Sequence, residues 1–309
     1  MNDISPINIG VNTRDLTQAV RESAMLADVS LSMWEASQND KALMEGVKRQ
    51  HGAHGDVGKV IKYLMAGADS RLKSTRNAFK AVREHHRKLT LQWISDPHSI
   101  RADGPRLLPH LLNPRYMTEV SQKKREAEAE RDEFVHEYPD LIIQAKANLG
   151  SMVSDSDYPT ADQIKHMFRC HFDFEPLPVT TEFRGLPEHT IERLSAGLLR
   201  KQQRQIQQAE AEMWSRVKAH VSHMVERLSV EEDESKIFKA ATVENVREML
   251  TLLPGWNVTG NPQVQEITQQ LEAILDGVDA DSLRRNKKLR AATAKETKQV
   301  IDKLTRWGL

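Results

Sequence analysis

The chain of 309 residues is long enough for one large domain or two ordinary ones, because single hydrophobic cores stop growing near about 250–300 residues. Its 39% hydrophobic and 28% charged residues are too apolar and too mixed in sign for wholesale disorder. The 44 basic residues balance 44 acidic ones, which excludes an overall electrostatic attraction to nucleic acid or to an anionic membrane. Abundant Ala, Leu, Glu, Gln, Lys and Arg favour helix.

The single cysteine, Cys170, excludes an internal disulfide and any metal site built on several thiolates, and it suits a reducing compartment. The first residues lack the basic start and apolar run of a signal peptide. No stretch approaches the ~20 apolar residues of a membrane-spanning helix. We therefore expect a cytoplasmic protein that does not use a membrane.

In the first third of the chain, apolar residues at helical spacing predict helices over residues 13–26, 41–50 and 57–92, the last either one long helix or a bent pair. Residues 28–34 alternate in polarity, which predicts a short strand or the start of a buried helix. The glycines of HGAHG at residues 51–55 predict a loop. Prolines between residues 93 and 116 predict an extended connection.

In the middle of the chain, residues 116–150 predict two helices separated at Pro139, and Thr160 is a suitable cap for the short helix that follows. Residues 168–179 alternate in polarity but contain prolines, which forbid a central strand. We expect this piece to pair, if at all, with residues 28–34 in a small edge ribbon.

The longest predicted helix covers residues 187–228, where apolar residues recur at steps of three or four. Its middle is almost wholly polar, so a thin apolar seam is expected to hold it against residues 116–150 in a coiled-coil-like hairpin. EEDES at residues 231–235 predicts the start of another helix, and the final module contains two more.

These patterns predict a mainly α fold, an elongated helical bundle with one long helical hairpin and at most a minor two-stranded β element. The predicted segments are an N-terminal helical region (1–115), the hairpin with core helices (116–260) and a basic C-terminal module (261–309).

His51, His54 and Asp56 in HGAHGD are residue types that bind metals. Zinc hydrolases, however, place such ligands at helical spacing or on a loop that leaves a strand, whereas here glycines flank the histidines. We therefore predict a solvated turn and no metal. The chain also lacks GxxxxGK[ST], GxGxxG and GxSxG, so no catalytic residue and no cofactor is predicted, and a non-enzymatic role is favoured.

Two local stretches are basic. Residues 59–92 hold nine basic against two acidic residues, a net charge of +7, and residues 281–309 hold nine against three, a net charge of +6. The candidate contacts to a nucleic-acid backbone are Lys73, Arg76, Lys80, Arg83, Arg87, Lys88, Arg284, Arg285, Lys287, Lys288 and Arg290. The alternative, which we favour because few aromatic residues accompany them, is pairing with acidic faces at residues 126–140 and 226–248.

LSMWEASQND, RLLPHLL, EFVHEYPDLIIQAKANLG, DSDYPTADQI and ATVENVREMLTLLPGWNVTGNP resemble a family of uncharacterised helical proteins of tailed bacteriophages and bacterial integrative elements. The resemblance spans most of the chain, but its motifs are structural and identify no catalytic residue. It implies an accessory role in the DNA metabolism of a mobile element or in host takeover. It also implies the cytoplasm of a bacterial host and, because such genes lie near those of MoxR-like ATPases, an adaptor function.

The leading hypothesis is a non-enzymatic interaction protein that self-associates or binds a protein partner such as a MoxR-like ATPase. The alternatives are a nucleic-acid-binding accessory factor in phage DNA metabolism that uses the basic stretches and, last, a metal-dependent hydrolase that uses His51, His54 and Asp56.

Overall fold

A computed structural model of the chain describes residues 13–94, 104–179, 185–229 and 240–309. Helices dominate these ranges, which confirms the mainly α prediction. They are α1 (Thr13–Ser23), α2 (Lys41–His51), α3 (Ser70–Leu89), α4 (Asn113–Leu149), α5 (Ala161–Met167), α6 (Glu188–Ser229), α7 (Ala241–Trp256), α8 (Pro262–Leu275), α9 (Ala280–Arg285) and α10 (Lys287–Arg306). None of the described helices combines the length and the apolar character needed to cross a membrane.

Within the described ranges, six short strands form two sheets. They are β1 (Ala24–Ser32), β2 (Ser37–Asn39), β3 (Ile61–Tyr63), β4 (Leu91–Gln92), β5 (Arg106–Pro109) and β6 (Arg169–Glu175). One sheet has the order β4-β5-β1-β6 and the other pairs β2 with β3. The predicted pairing of residues 28–34 with 168–179 is thus present as β1 beside β6. The prediction of at most a two-stranded element is wrong, because β1 also pairs antiparallel with β5, which in turn pairs with β4.

The chain forms two compact units, each assembled from separate stretches of sequence. Unit 1 contains the residues up to Asp28, Arg87–Arg115 and Asp173–Leu309, and unit 2 contains Val29–His86 and Tyr116–Phe172. This grouping differs in kind from the consecutive segments 1–115, 116–260 and 261–309 suggested by the sequence.

Unit 1 is organised around α6, which packs mainly on α10 and α7, while α8 packs on both α7 and α10. The buried stripe of α6 contains Ile206, Ala209, Met213, Trp214, Val217, Val221, Met224 and Leu228. Apart from Trp214, these positions lie on the apolar seam that the spacing predicts, whereas its first positions, Ile191, Leu194 and Leu198, are not buried. The helices that cover the seam come from the C-terminal part of the chain, whereas most of the expected partner, residues 116–150, belongs to unit 2.

Arginine side chains satisfy the carbonyl groups left open at two helix ends in unit 1. Arg290 donates from Nε to the carbonyl of Leu228 at 2.9 Å, near the end of α6. Arg216 donates to the carbonyls of Arg87 and Thr90 at 2.9 and 3.1 Å, where α3 ends. The last carbonyls of a helix have no intrahelical partner, so these contacts fix the ends of both helices.

Unit 2 encloses a cluster of aromatic side chains contributed by α3, α4 and the neighbouring segments. Trp34 lies 5.8 Å from Tyr138 and 6.4 Å from Phe134, and Phe168 lies 5.6 Å from Phe79, measured between ring centroids. Burial on both sides explains why α4 continues through Pro139, where the sequence predicts a break. Phe134 and Tyr138 before the proline are buried, and so are Leu141 and Ala145 after it.

Other helix limits agree with the sequence prediction in some places and differ from it in others. Thr160 caps α5 as predicted, its Oγ1 accepting from the backbone amide of Gln163 at 3.2 Å. The helix predicted over residues 13–26 ends at Ser23, and that predicted over residues 57–92 is reduced to α3, preceded by β3. The helix start predicted at residues 231–235 lies outside the described residues.

Candidate interaction surface

The most unusual stretch of the molecule is residues 37–63, which we call the 37–63 segment. It contains β2, α2 and β3, yet none of its 27 residues is buried. Five of its large apolar side chains are exposed instead, Leu43 by 41%, Val47 by 36%, Val57 by 56%, Ile61 by 51% and Tyr63 by 66%, while Met44 and Val60 are partly buried. The segment thus has regular secondary structure without a core of its own.

The helix of this segment, α2, has well-defined ends. Asp40 caps its first turn, its Oδ1 accepting from the amide of Leu43 at 2.9 Å, and Gly52 ends it in the left-handed conformation with φ of +61°. Leu43 and Val47 are one turn apart and therefore share one face. Between them Gly46 has open space around the position of a Cβ, so no packing inside the described part of the chain requires a glycine there.

The two strands of the segment present a second apolar face. Ser37 pairs with Tyr63 and Asn39 with Ile61, in antiparallel register. Alternate residues of a strand point to opposite sides, so Ile61 and Tyr63 share one side and Lys62 lies on the other. Since Lys62 is the partly buried member of β3, the outward side is the one that carries Ile61 and Tyr63.

Lys62 attaches the segment to the rest of unit 2. Its Nζ lies 3.4 Å from Asp40 and 3.3 Å from Asp157, and it donates to the carbonyl of Met152 at 3.2 Å. Desolvation lowers the pKa of the Lys62 ammonium, but hydrogen bonds and charge from Asp157 and Asp40 outweigh it and raise the pKa. A hydrogen bond from the Leu64 amide to the Ala36 carbonyl at 2.8 Å closes the base of the segment.

The candidate metal ligands lie within this segment. His51 is the last residue of α2, and His54 and Asp56 lie in the following loop, all three exposed. Among the described residues, no group of three His, Cys, Asp or Glu side chains is placed to hold a metal ion. The assignment of the HGAHGD motif to a solvated turn stays a prediction.

Several cations of the first basic stretch lie in ion pairs. Arg71 contacts Glu130, Glu133 and Glu137 at 3.3–3.6 Å, Lys88 pairs with Glu248, and these carboxylates belong to the acidic faces favoured as partners. Among the candidate residues, Lys73 lies 2.7 Å from Asp69, and Arg76 pairs with Glu35. Lys80 is exposed, Arg83 is partly buried, and Arg87 lies exposed at the end of α3.

In the second basic stretch, some of the candidate side chains contact other protein groups and others are exposed to solvent. Arg290 binds the carbonyls at the end of α6, and Arg284 pairs with Asp281 at 2.6 Å. The remaining candidates, Arg285, Lys287 and Lys288, are exposed around the start of α10. The eleven candidates thus belong to two elements of the fold, α3 and the α9–α10 region. Their role in nucleic-acid binding stays a prediction.

Burial shifts the pKa values of titratable groups elsewhere, among them Cys170, Glu210 and His220. Burial raises the pKa of the half-buried Cys170 thiol to about 11, which keeps it protonated at neutral pH and argues against a thiolate nucleophile. Burial also raises the pKa of the Glu210 carboxyl, whose Oε1 accepts from Asn261 at 2.6 Å. Burial and then the positive charge of Arg216 lower the pKa of the His220 imidazole.

Comparison of the chain with protein-family models, with curated proteins and with solved structures gives no match. The description of the 37–63 segment therefore rests on its own geometry. The sequence predicts a helix over residues 41–50 but does not show that its apolar face lies uncovered. The only available signals are the shortness of that helix, its internal glycine and the loop of HGAHG that separates it from the next apolar residues.

Proposed function

We propose that this protein is a non-enzymatic adaptor of a phage or mobile element and that the 37–63 segment is where a partner protein docks. The observation that carries the proposal is the absence of any buried residue in the 37–63 segment, although it contains β2, α2 and β3. Ordering each residue costs about 1–2 kcal/mol of conformational entropy, and in a folded domain burial of apolar side chains offsets this cost. A docked protein would supply the missing burial.

The chemistry of the segment fits a protein surface. Leu43 and Val47 on α2 offer a short helical face, and Ile61 and Tyr63 offer a flat apolar patch on two strands. Tyr is enriched at protein interfaces because it combines a large apolar area with a polar end. Polar neighbours such as Ser37 and Asn39 are suited to a hydrogen-bonding rim.

The resemblance to mobile-element proteins supports a MoxR-like ATPase of the same element as the partner. The test is co-purification of the full chain with that ATPase and hydrogen exchange of the complex. We expect slower amide exchange throughout residues 37–63 on binding. Leu43→Asp and Tyr63→Asp should each weaken binding at least about tenfold, since a buried unpaired charge costs more than 1.4 kcal/mol.

Leu111→Asp is the matched control, because Leu111 is 71% exposed and lies outside the segment. It should leave binding unchanged. Binding of the ATPase that leaves exchange in the 37–63 segment unchanged would disprove the docking surface, and lack of any binding would disprove the ATPase as partner.

A further inference from the structure

A second apolar face that is only partly buried lies at the start of the longest described helix. Residues 188–201, which we call the α6 entry segment, contain no buried residue, although every buried position of α6 follows from Gln202 onwards. Leu194 is 38% exposed, and Ile191 and Leu198 are partly exposed. At 1.5 Å per residue the segment is about 20 Å long.

The apolar face of the entry segment continues the face that forms the core of unit 1. Ile191, Leu194 and Leu198 follow the same spacing of three or four residues as the buried positions from Ile206 onwards. At the boundary two buried glutamines close the core. Gln202 donates to the carbonyl of Pro178 at 2.7 Å, and Gln205 donates to the carbonyl of Trp93 at 3.3 Å.

The charges of the entry segment differ between its two ends. Glu188, Glu192 and Arg193 lie in the first two turns, with a net charge of −1, and Arg200 and Lys201 lie in the last, with a net charge of +2. Acidic residues at a helix start are favoured by the helix dipole, but Arg200 and Lys201 lie far from the C-terminal end of α6, so the dipole does not explain them. Two copies in antiparallel orientation would bring each acidic end beside a basic end, whereas parallel copies would bring like charges together.

We infer that the α6 entry segments of two copies of this chain pair in antiparallel orientation, with Ile191, Leu194 and Leu198 of each copy in the interface. A helix pair this short lies below the about 1,200 Å² of a stable interface, so the dimer is weak, with a Kd on the order of micromolar to hundreds of micromolar. This surface shares no residue with the 37–63 segment, and the adaptor proposal does not depend on it.

Sedimentation equilibrium of the full chain over about 5–500 µM tests the pairing. We expect a monomer–dimer equilibrium that weakens when salt is raised from about 50 to 500 mM, because opposite charges attract in the antiparallel pair. Leu194→Asp should weaken the dimer at least about tenfold, whereas the control Leu111→Asp should not. A wild-type chain that stays monomeric throughout, or a dimer insensitive to Leu194→Asp, would overturn the inference.

Charge reversal tests the orientation without changing the apolar face. Glu188→Lys with Glu192→Lys makes both ends basic and should weaken the dimer several-fold. Adding Arg200→Glu and Lys201→Glu restores opposite ends and should restore the dimer. If the first pair of substitutions leaves the dimer unchanged, the antiparallel orientation is wrong. Circular dichroism of each variant verifies that helix content is retained.

Discussion

Replacement of Glu212 by alanine should remove a large part of the stability of unit 1. The Glu212 carboxylate accepts from Arg106 Nη2 at 2.9 and 3.1 Å, from Arg216 Nη2 at 2.6 Å and from the backbone amide of Gln92. Desolvation lowers the pKa of the Arg106 guanidinium, whereas Glu212 raises it, and the Arg106 side chain is only 8% exposed. The carboxylate therefore compensates a buried positive charge.

Removing one partner of a buried ion pair typically costs about 3–5 kcal/mol, because the other charge is left uncompensated. Arg106 keeps hydrogen bonds to the hydroxyl and carbonyl of Thr90 at 2.8 and 3.2 Å, so we expect the lower end of this range, about 3 kcal/mol. Out of a total of about 5–15 kcal/mol for a folded domain, this loss is large.

Urea unfolding followed by tryptophan fluorescence measures the effect. Four of the five tryptophans, Trp93, Trp214, Trp256 and Trp307, belong to unit 1, so the signal reports mainly on that unit. Lys73→Ala, which breaks the exposed ion pair with Asp69, is the control and should cost at most about 0.5 kcal/mol. Combining Glu212→Leu with Arg106→Leu should cost less than the two single changes added together. A loss below about 1 kcal/mol for Glu212→Ala would refute the reasoning.

Gly255→Ala should destabilise the protein by about 1–3 kcal/mol in urea unfolding, because the added Cβ would lie 2.5 Å from the side chain of Leu112. Gly197→Ala is the matched control, because a Cβ added there would meet open space, and it should stabilise α6 by up to about 1 kcal/mol. Because the folded-state pKa of Glu210 is raised, its contribution to the free energy of unfolding is complete below the unfolded-state pKa near 4.5 and is lost as pH rises through the folded-state pKa. Glu210→Gln should abolish this pH dependence in urea unfolding measured from about pH 4 to 7. The lowered pKa of His220 predicts the opposite sign, with stability present above about pH 6.5 and lost as pH falls through the folded value, and His220→Gln should flatten that slope.

Local pattern predicted the helices well where burial and periodicity agree. The limits of α6 and the cap at Thr160 follow directly from apolar spacing and side-chain chemistry. The local pattern predicted the wrong secondary structure where contacts with residues far away in the sequence determine it. Met25 and Leu26 fit a helical stripe, but their backbone pairs with Leu108 and Leu107 in β5, more than 80 residues away. Such pairing cannot be detected in a sequence window of one helix length, because the partner strand lies outside that window.

The exposure of the apolar faces in the 37–63 segment and the α6 entry segment could not be predicted from the sequence either. Spacing identifies Leu43 and Val47, or Ile191 and Leu198, as an apolar face, but an apolar face in a sequence is normally a buried one. Whether another element covers it depends on the whole chain. The packing of α6 on residues 116–150 stays a prediction, and the described helices that pack on its seam are α7 and α10.

The interleaving of the two units has a consequence for how the protein is made. All of unit 2 lies between Val29 and Phe172, while unit 1 is completed only by Asp173–Leu309. During synthesis unit 2 can therefore collapse while most of unit 1, including every helix from α6 onward, is still untranslated. Residues 87–115 must wait for partners that are made last. A ribosome stalled near residue 200 should thus carry a protease-resistant unit 2 beside an unfolded remainder, and early termination would leave the apolar strands β4 and β5 without cover.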